Sequence, residues 1–489
     1  MIDRIHPNTE RHNLFTHHAL ESNETRAGTK TKLFQHLALG YLDDNTTIYY
    51  GGVFYTYDGK CYRPEIEPTI AFIRWCQSQN IASSNSIASN VVEQIKGYTV
   101  CSPAKYPDIP FFVEGEDDPK KYIPFQNGLL DIEKYLAGET KIVEHTPDLV
   151  SLYVLPYDFD PDATCRRWLN FLDEVFQGDE ESIRLLQEWF GYCLTADVSL
   201  QKLMTFVGLP RSGKGTTARV LRDLIGCENV TAFDLYRLLD KFSMSALRAK
   251  QLAVVGEVEL TAAREKARIL EKLKSVTGND PQIMERKGID VKESAVLPTR
   301  FLISCNQMPH LHDVSGALEA RMLLLKFNRT FAGNENPNLA NELLPELSGI
   351  ANWAIRGLSR LRNSSWSKPA TSTEAKKAFR KESSIPLAFL QECCMVQADW
   401  LTPLTPDVEP LHDDGHTTRK DLAAVFRLWA QEEEIDATYH WFGRDVKAII
   451  PQLGGEKRVT INGKRVRVVQ GIAIKAEWRA RVMDSRRKA

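Results

Sequence analysis

The segment Gly208-Leu-Pro-Arg-Ser-Gly213-Lys214-Gly215-Thr216 has the residue types and spacing of a phosphate-binding loop. It follows an apolar run at 203–207 and precedes a helical pattern, which is the context that such a loop requires. Glycines let backbone N–H groups approach phosphate, a helix N-terminus adds a positive dipole, and a lysine supplies a point charge. We predict that ATP with Mg²⁺ is bound by Gly208, Pro210, Arg211, Ser212, Gly213, Lys214, Gly215, Thr216 and Thr217.

The hydroxyl ligand of Mg²⁺ is the unusual part of this loop. Gly215 occupies the position after Lys214, where the motif normally has Ser or Thr. Thr216 or Thr217 must then supply the hydroxyl, and the sequence leaves both open, with Thr216 as our first choice.

Two acids follow the next apolar strand, at 252–255. Glu257 and Glu259 are two residues apart, so they share a face if the strand continues. ATP hydrolysis needs an acid that holds the metal or polarises water. Glu257 is the first choice for this role and for the Mg²⁺ site, and Glu259 is the second.

Two further candidates for hydrolysis come from later strands. Asn306 ends the strand at 301–304, at the carboxyl edge where ligands of open α/β sheets collect, and it could orient the attacking water. Arg321 stands between a short helix and the apolar run that starts at Met322, a plausible place for an arginine finger.

The elements that must position these residues form an α/β layer. Three runs, at 203–207, 252–255 and 301–304, are apolar on both faces and are separated by helix-length segments, which predicts a buried parallel sheet. The 489 residues predict about three domains. We divide the chain into an α+β region at 1–121 with peripheral residues to about 45, a helical region at 122–200, the ATPase domain at 201–361, a linker or connecting helix at 362–386, and a C-terminal module at 387–489.

Composition indicates a protein of the cytoplasm. Hydrophobic residues make up 43% and charged residues 26%, which is ordinary for globular proteins, and no run approaches the about 18 apolar residues of a membrane span. The start carries no secretory signal pattern. Nine cysteines occur without zinc-ligand spacing, which favours a reducing compartment. We therefore expect no membrane partner.

The C-terminal module carries most of the positive charge. The last fifty residues hold 13 Lys/Arg and 4 Asp/Glu, a net of +9, so the remaining chain totals −11 within the overall −2. Helical patterns at 419–433 and 444–453 precede a hairpin with an Asn462-Gly463 turn, which suggests a winged helix. Lys464, Arg465 and Arg467 are the predicted contacts to the DNA backbone.

The ordered set of motifs closely resembles the phage, plasmid and poxvirus primase-helicase family of helicase superfamily 3. The set comprises the phosphate loop, Val-Val-Gly-Glu257-Val-Glu, the segment 275–287, Pro-Thr-Arg-Phe-Leu-Ile-Ser-Cys-Asn306 and Asp-Val-Ser-Gly-Ala-Leu-Glu-Ala-Arg321. The stretches at 123–131, 157–163 and 187–192 are similar to the region that precedes the helicase in that family. The resemblance covers roughly residues 122–361.

The resemblance implies a P-loop AAA+-like motor that assembles as a homo-hexamer and acts on single-stranded and forked DNA with 3′ to 5′ polarity. Arg321 would complete the ATP site of the neighbouring subunit. A hairpin between Glu257 and Asn306 would reach into the ring channel, with Arg286 and Lys287 at its tip in contact with DNA. Relatives often have Asp where this chain has Glu257, which lengthens the reach to the metal.

A primase activity is not predicted, although a separate primase or replication initiator is a possible partner. Asp158, Asp160 and Asp162 are the best acids for a metal site, but flanking prolines place them in a turn. Two other functions stay open. One is a DNA-binding or origin-recognition protein whose ATPase is a switch; the other is a nucleotide phosphotransferase, which the position of the loop about two hundred residues into the chain disfavours.

Overall fold

The computed structural model describes residues 26–115, 117–240, 242–256, 263–286, 289–307, 317–334, 336–383, 385–401, 408–412, 415–432, 446, 450, 452, 457–461 and 464–488. In the described part, no helix is long and apolar enough to cross a membrane.

The N-terminal part combines helices with a small sheet. Its elements are α1 (Arg26–Asp44), β1 (Thr47–Tyr50), β2 (Val53–Tyr57), β3 (Tyr62–Glu65), α2 (Pro68–Ser78), α3 (Asn85–Thr99) and β4 (Val100–Cys101). The sheet has the order β3-β2-β1-β4. Strands β1 and β2 form a hairpin whose turn is Gly51-Gly52, where both residues have positive φ. The first 45 residues were expected to be peripheral, but Leu37, Ala38 and Tyr41 of α1 are buried against α2 and α3.

The region before the central sheet is less helical than the sequence suggested. It contains β5 (Phe111–Phe112), β6 (Tyr122–Phe125), β7 (Gly128–Asp131), α4 (Ile132–Leu136), β8 (Ile142–Val143), β9 (Leu149–Val150), α5 (Arg166–Phe176) and α6 (Glu180–Leu194). The expectation of a helical stretch over 122–200 thus holds only from Arg166 onward. Short strands fill the first half because Gly128 and Pro124 interrupt any helical period.

The central part is an α/β layer around a five-stranded sheet. Its elements are β10 (Leu203–Gly208), α7 (Lys214–Ile225), β11 (Val230–Phe233), α8 (Ser243–Leu247), β12 (Leu252–Val255), α9 (Ala263–Thr277), β13 (Gln282–Arg286), β14 (Ile289–Ala295), β15 (Arg300–Cys305), α10 (Ala317–Arg321), β16 (Met322–Phe327), α11 (Leu339–Leu343) and α12 (Leu347–Asn363). All pairs of the sheet are parallel, in the order β11-β12-β15-β10-β16. The predicted parallel sheet is therefore present, with β11 as a strand that the sequence did not reveal.

Both faces of this sheet are covered. Met204 and Phe206 pack with α5, α6, α7 and α12, whereas Leu203 and Val207 pack with α9 on the other face. This division follows the alternation of side chains along a strand. The helices before β10 and after β16 share one core with the sheet, so α5 and α6 are part of the body that supports the glycine-rich loop.

The C-terminal part begins with a helix that the sequence treated as a linker. Its elements are α13 (Ala370–Ser383), α14 (Ile385–Cys393), β17 (Cys394–Gln397), β18 (Glu409–Leu411), β19 (His416–Thr418), α15 (Arg419–Glu432), β20 (Lys457–Ile461), β21 (Lys464–Gln470), β22 (Ile472–Ile474) and α16 (Ala476–Lys488). Residue Phe379 of α13 is buried against the central sheet, so α13 is a packed helix and not a solvated connector. The helix predicted at 444–453 lies almost wholly outside the described residues.

Candidate functional site

The glycine-rich loop, residues Gly208–Gly213, joins β10 to α7. A Cβ on Gly208 would lie 2.1 Å from the carbonyl oxygen of Phe327, so only glycine permits this approach of β10 to β16. Gly213 has φ of 95° and precedes the first turn of α7, whose N-terminus therefore faces the loop. The strand, loop and helix thus have the geometry in which backbone N–H groups and a helix dipole act on one anion.

Lys214 is the buried cation of this loop. Its ammonium lies 2.5 Å from the carbonyl oxygen of Gly208 and 2.7 Å from that of Leu209, with Ser212 Oγ at 3.5 Å. The lysine is only 8% exposed. Phosphate oxygens carry more negative charge than the carbonyl and hydroxyl oxygens described here, so a buried ammonium at this place is suited to bind phosphate.

Asn306 lies beside Lys214, as the sequence predicted for the carboxyl edge of the sheet. Its Oδ1 is 3.2 Å from Lys214 Nζ. Strands β10 and β15 are neighbours, with Val207 opposite Cys305, so the ends of both strands meet at this edge. The chain leaves β10 for β11 at one side of the sheet and returns to β16 at the other side. The loop therefore lies at a topological switch point, where open α/β sheets bind ligands.

Glu257 and Glu259 lie outside the described residues. The strand that leads to them, β12, pairs with β15 so that Val255 is opposite Ile303. The chain consequently enters the acidic segment at the same edge of the sheet as the glycine-rich loop. The roles predicted for the two carboxylates stay predictions.

The two candidate threonines have different surroundings. Thr217 is fully buried, and its hydroxyl donates to the carbonyl of Gly213 at 3.0 Å within the first turn of α7. Thr216 is partly exposed and accepts a hydrogen bond from Arg219 at 3.2 Å, which leaves its own proton and a lone pair for other contacts. The accessible hydroxyl thus belongs to Thr216, the residue that we favoured as the Mg²⁺ ligand.

Arg321 lies at the opposite edge of the sheet from the glycine-rich loop. Met322 is opposite Leu203 at the beginning of β10, whereas Gly208 is opposite Phe327. The amino and carboxyl ends of these strands are six residues apart, which is about 20 Å along the strand direction. This distance exceeds the reach of an arginine side chain. The guanidinium of Arg321 donates to the carbonyl of Lys274 near the end of α9. Arg321 therefore does not serve the loop of its own chain.

Lys202 adds a second cation beside Arg321. Its ammonium donates to the carbonyl of Ala320, and burial, together with the charges of Arg321 and Lys368, holds the pKa of Lys202 below its usual value. Lys202 and Arg321 thus place two positive charges at the amino ends of β10 and β16, where they would attract an anion.

The predicted hairpin between Glu257 and Asn306 is present. Strands β13 and β14 form an antiparallel pair outside the main sheet, with Arg286 opposite Ile289. Arg286 ends β13, next to the turn; Lys287 and its neighbour Gly288 lie outside the described residues. A basic residue at the end of a hairpin strand is suited to contact with phosphate.

The C-terminal hairpin separates its apolar and basic residues onto two faces. Val459 is opposite Val466, and Arg458 is opposite Arg467, with both arginines exposed. Arg465 lies on the same basic face, is exposed and is opposite Thr460. A hairpin face with three exposed arginines is suited to contact with a polyanion such as the DNA backbone. Lys464 begins β21, and its side chain is outside the described part.

One segment that contacts the glycine-rich loop was not predicted from the sequence. Residues 329–331 follow β16 and contact the loop, although they are about 120 positions away along the chain. No local pattern marks such a contact, because it depends on the return of β16 to the side of β10.

Two family profiles match parts of the chain. The profile described as "D5 N terminal like" matches residues 50–177, and that described as "Family of unknown function (DUF5906)" matches residues 206–321. Domains of these two kinds are typical of phage and plasmid primase-helicase proteins and suggest a role in phage DNA replication. Among curated proteins, no match was found.

The fold is similar to that of the C-terminal region of NrS-1. An apo structure of that region has 13% identity and a TM-score of 0.52, and the match covers 89% of this chain and 98% of that one. A second apo structure, the A form, has 13% identity and a TM-score of 0.50 with the same coverage. At this level of identity the similarity concerns the fold alone.

Proposed function

We propose that the chain is an ATP-driven DNA helicase motor that acts in the replication of a phage, a plasmid or another mobile element. The observation that carries the proposal is the position of Lys214 Nζ, buried among the oxygens of the glycine-rich loop and 3.2 Å from Asn306 Oδ1 at the switch point of the sheet. The two family profiles support the replication context.

In this proposal the site binds a nucleoside triphosphate with Mg²⁺. The loop N–H groups and Lys214 would hold the phosphates, Thr216 and Glu257 would hold the metal ion, and Asn306 would orient the attacking water, with Glu259 as the alternative acid. Bound Mg²⁺ would neutralise the charge that develops on the phosphates during hydrolysis.

The distance of Arg321 from its own loop supports assembly into a ring. A motor whose arginine lies about 20 Å from the phosphate site needs a neighbouring copy to complete that site. We propose an AAA+-like homo-hexamer in which Arg321 of one subunit faces the ATP of the next. Movement along single-stranded DNA would be 3′ to 5′.

The basic surfaces supply the contacts to DNA in this proposal. Arg286 and Lys287 at the hairpin tip would contact single-stranded DNA in the channel. The C-terminal module would be a winged helix whose hairpin contacts the DNA backbone through Lys464, Arg465 and Arg467. A separate primase or initiator would act with the motor.

The test is an unwinding assay on forked DNA with the wild type and Lys214→Ala. We expect ATP-dependent unwinding by the wild type, loss of unwinding and hydrolysis in the variant, and DNA binding by both. Lys250→Ala is a suitable control because its ammonium bonds the carbonyl of Glu228 at the exposed surface, near the amino end of the strands. Hydrolysis without unwinding on any fork would favour an ATPase switch, and transfer of phosphate to a nucleotide would replace the helicase proposal.

A further inference from the structure

A short segment after β16 holds the outer side of the glycine-rich loop. Thr330 Oγ1 donates to the carbonyl of Pro210 at 3.2 Å, and the backbone N–H of Phe331 donates to the carbonyl of Arg211 at 2.8 Å. We call residues 329–331 the strap. Two consecutive carbonyls of the loop are thus bonded by two consecutive residues of the strap.

These two bonds determine where the N–H groups of the loop point. In a trans peptide the N–H is directed opposite to the C=O of the same plane. Because the carbonyls of Pro210 and Arg211 face the strap, the N–H groups of Arg211 and Ser212 are directed to the other side of the loop. Arg211 has φ of 56°, the left-handed conformation that alternates in anion-binding nests and that costs free energy for a residue with a side chain.

The strap is itself fixed to the helix beneath the loop. Arg329 Nη1 donates to the carbonyl of Glu174 in α5 at 2.7 Å, and the guanidinium lies over the ring of Phe331, 4.8 Å from the ring centroid. The same helix supports the loop from below, since a Cβ on Gly213 would lie 3.0 Å from Val175 Cγ2. The loop is therefore enclosed between α5 and the strap.

We propose that the strap is a positioning element of the nucleotide site, which holds the loop N–H groups in the orientation that binds the phosphates of a nucleoside triphosphate. The inference rests on the proposed ATP site and deepens it. The strap touches the loop from outside, so it acts through the loop backbone. By holding two peptide planes of the loop in place, its bonds would reduce the ordering that phosphate binding requires.

The test compares Thr330→Val, which removes the hydroxyl but keeps the shape, with Thr330→Ser, which keeps the hydroxyl. Thr373→Val is the matched control, since the Thr373 hydroxyl also donates to a proline carbonyl, that of Pro369 in a different part of the chain. Binding of a fluorescent, non-hydrolysable ATP analogue and the steady-state kcat and KM for ATP are measured well below the unfolding temperature of each variant.

We expect Thr330→Val to weaken binding about two- to tenfold, the effect of one hydrogen bond, and to raise KM by the same factor with kcat unchanged. Thr330→Ser and Thr373→Val should bind as the wild type does. Equal binding by Thr330→Val and the wild type, or an equal loss in Thr330→Ser, would overturn the role of the strap. Absence of nucleotide binding in the wild type would instead refute the ATP site itself.

Discussion

Lys214 and the arginines of the C-terminal hairpin are all cations suited to phosphate, but their surroundings are opposite. Lys214 is 8% exposed, and oxygens of Gly208, Leu209, Ser212 and Asn306 lie within 3.5 Å of its ammonium. Arg465 and Arg467 are exposed on one face of a two-stranded hairpin, with Arg458 opposite Arg467. Lys214 is a single buried charge, whereas the hairpin arginines distribute several charges over an exposed surface.

The difference predicts two kinds of response to substitution. In a buried site the charge acts through little water, so its loss has a large effect that added salt changes little. On an exposed face each charge contributes a small amount that salt screens. The first behaviour suits a group at a reaction centre, and the second suits a surface that must bind DNA of any sequence and release it.

Arg321 allows the sharpest test of this comparison, because it is partly buried but lies at the edge opposite Lys214. We expect Arg321→Ala to lower ATP hydrolysis by about 10³-fold, the smaller of the effects known for arginine fingers, while nucleotide binding is kept. Measurement of both quantities in the variant checks this expectation.

A mixing experiment separates action between subunits from local damage. Neither Lys214→Ala nor Arg321→Ala alone should hydrolyse ATP, but mixed rings would contain some sites with an intact loop and an intact neighbouring arginine. Partial recovery of hydrolysis on mixing is expected. If mixing restores nothing while each variant still assembles, the action of Arg321 on a neighbour is wrong.

Thr216 and Thr217 are adjacent residues that also differ in exposure. The hydroxyl of Thr216 is accessible, whereas that of Thr217 is buried and bonded to the carbonyl of Gly213. We expect Thr216→Val to raise the Mg²⁺ concentration for half-maximal hydrolysis at least about tenfold, because loss of a metal contact weakens binding by that order. Thr217→Val should leave this concentration unchanged. Titration of hydrolysis against Mg²⁺ decides between them, and the reverse result would make Thr217 the ligand.

The sequence was informative wherever function depends on a continuous stretch of chain. The glycine-rich loop, the strands at 203–208, 252–255 and 300–305, and the C-terminal hairpin follow from local patterns and lie where they were expected. The hairpin of β13 and β14 was expected only from the family resemblance. The proximity of Asn306 to Lys214 could be predicted because both residues end buried parallel strands, and such ends meet at one edge.

Features that depend on the order of strands were not predictable. The motif alone placed Arg321 at a junction of helix and strand, but only the pairing of β16 with β10 shows which edge of the sheet it occupies. The strap is likewise defined by that pairing. Helix α1 was missed because its apolar residues, Leu37, Ala38 and Tyr41, form a weak stripe whose partners lie on α2 and α3.

Substitution of the exposed arginines of the C-terminal hairpin has the smallest expected effect. We expect Arg465→Ala combined with Arg467→Ala to reduce the slope of log K for DNA against log salt concentration by about 1.5, since each phosphate contact contributes about 0.7–0.9. ATP hydrolysis without DNA should be unchanged. Arg481→Ala is the control, because it removes an arginine of the same module that lies outside the hairpin and is paired with Glu432 at 2.8 Å. A slope that falls equally in the control, or a loss that salt does not affect, would show that the hairpin arginines support the module and do not contact the DNA backbone.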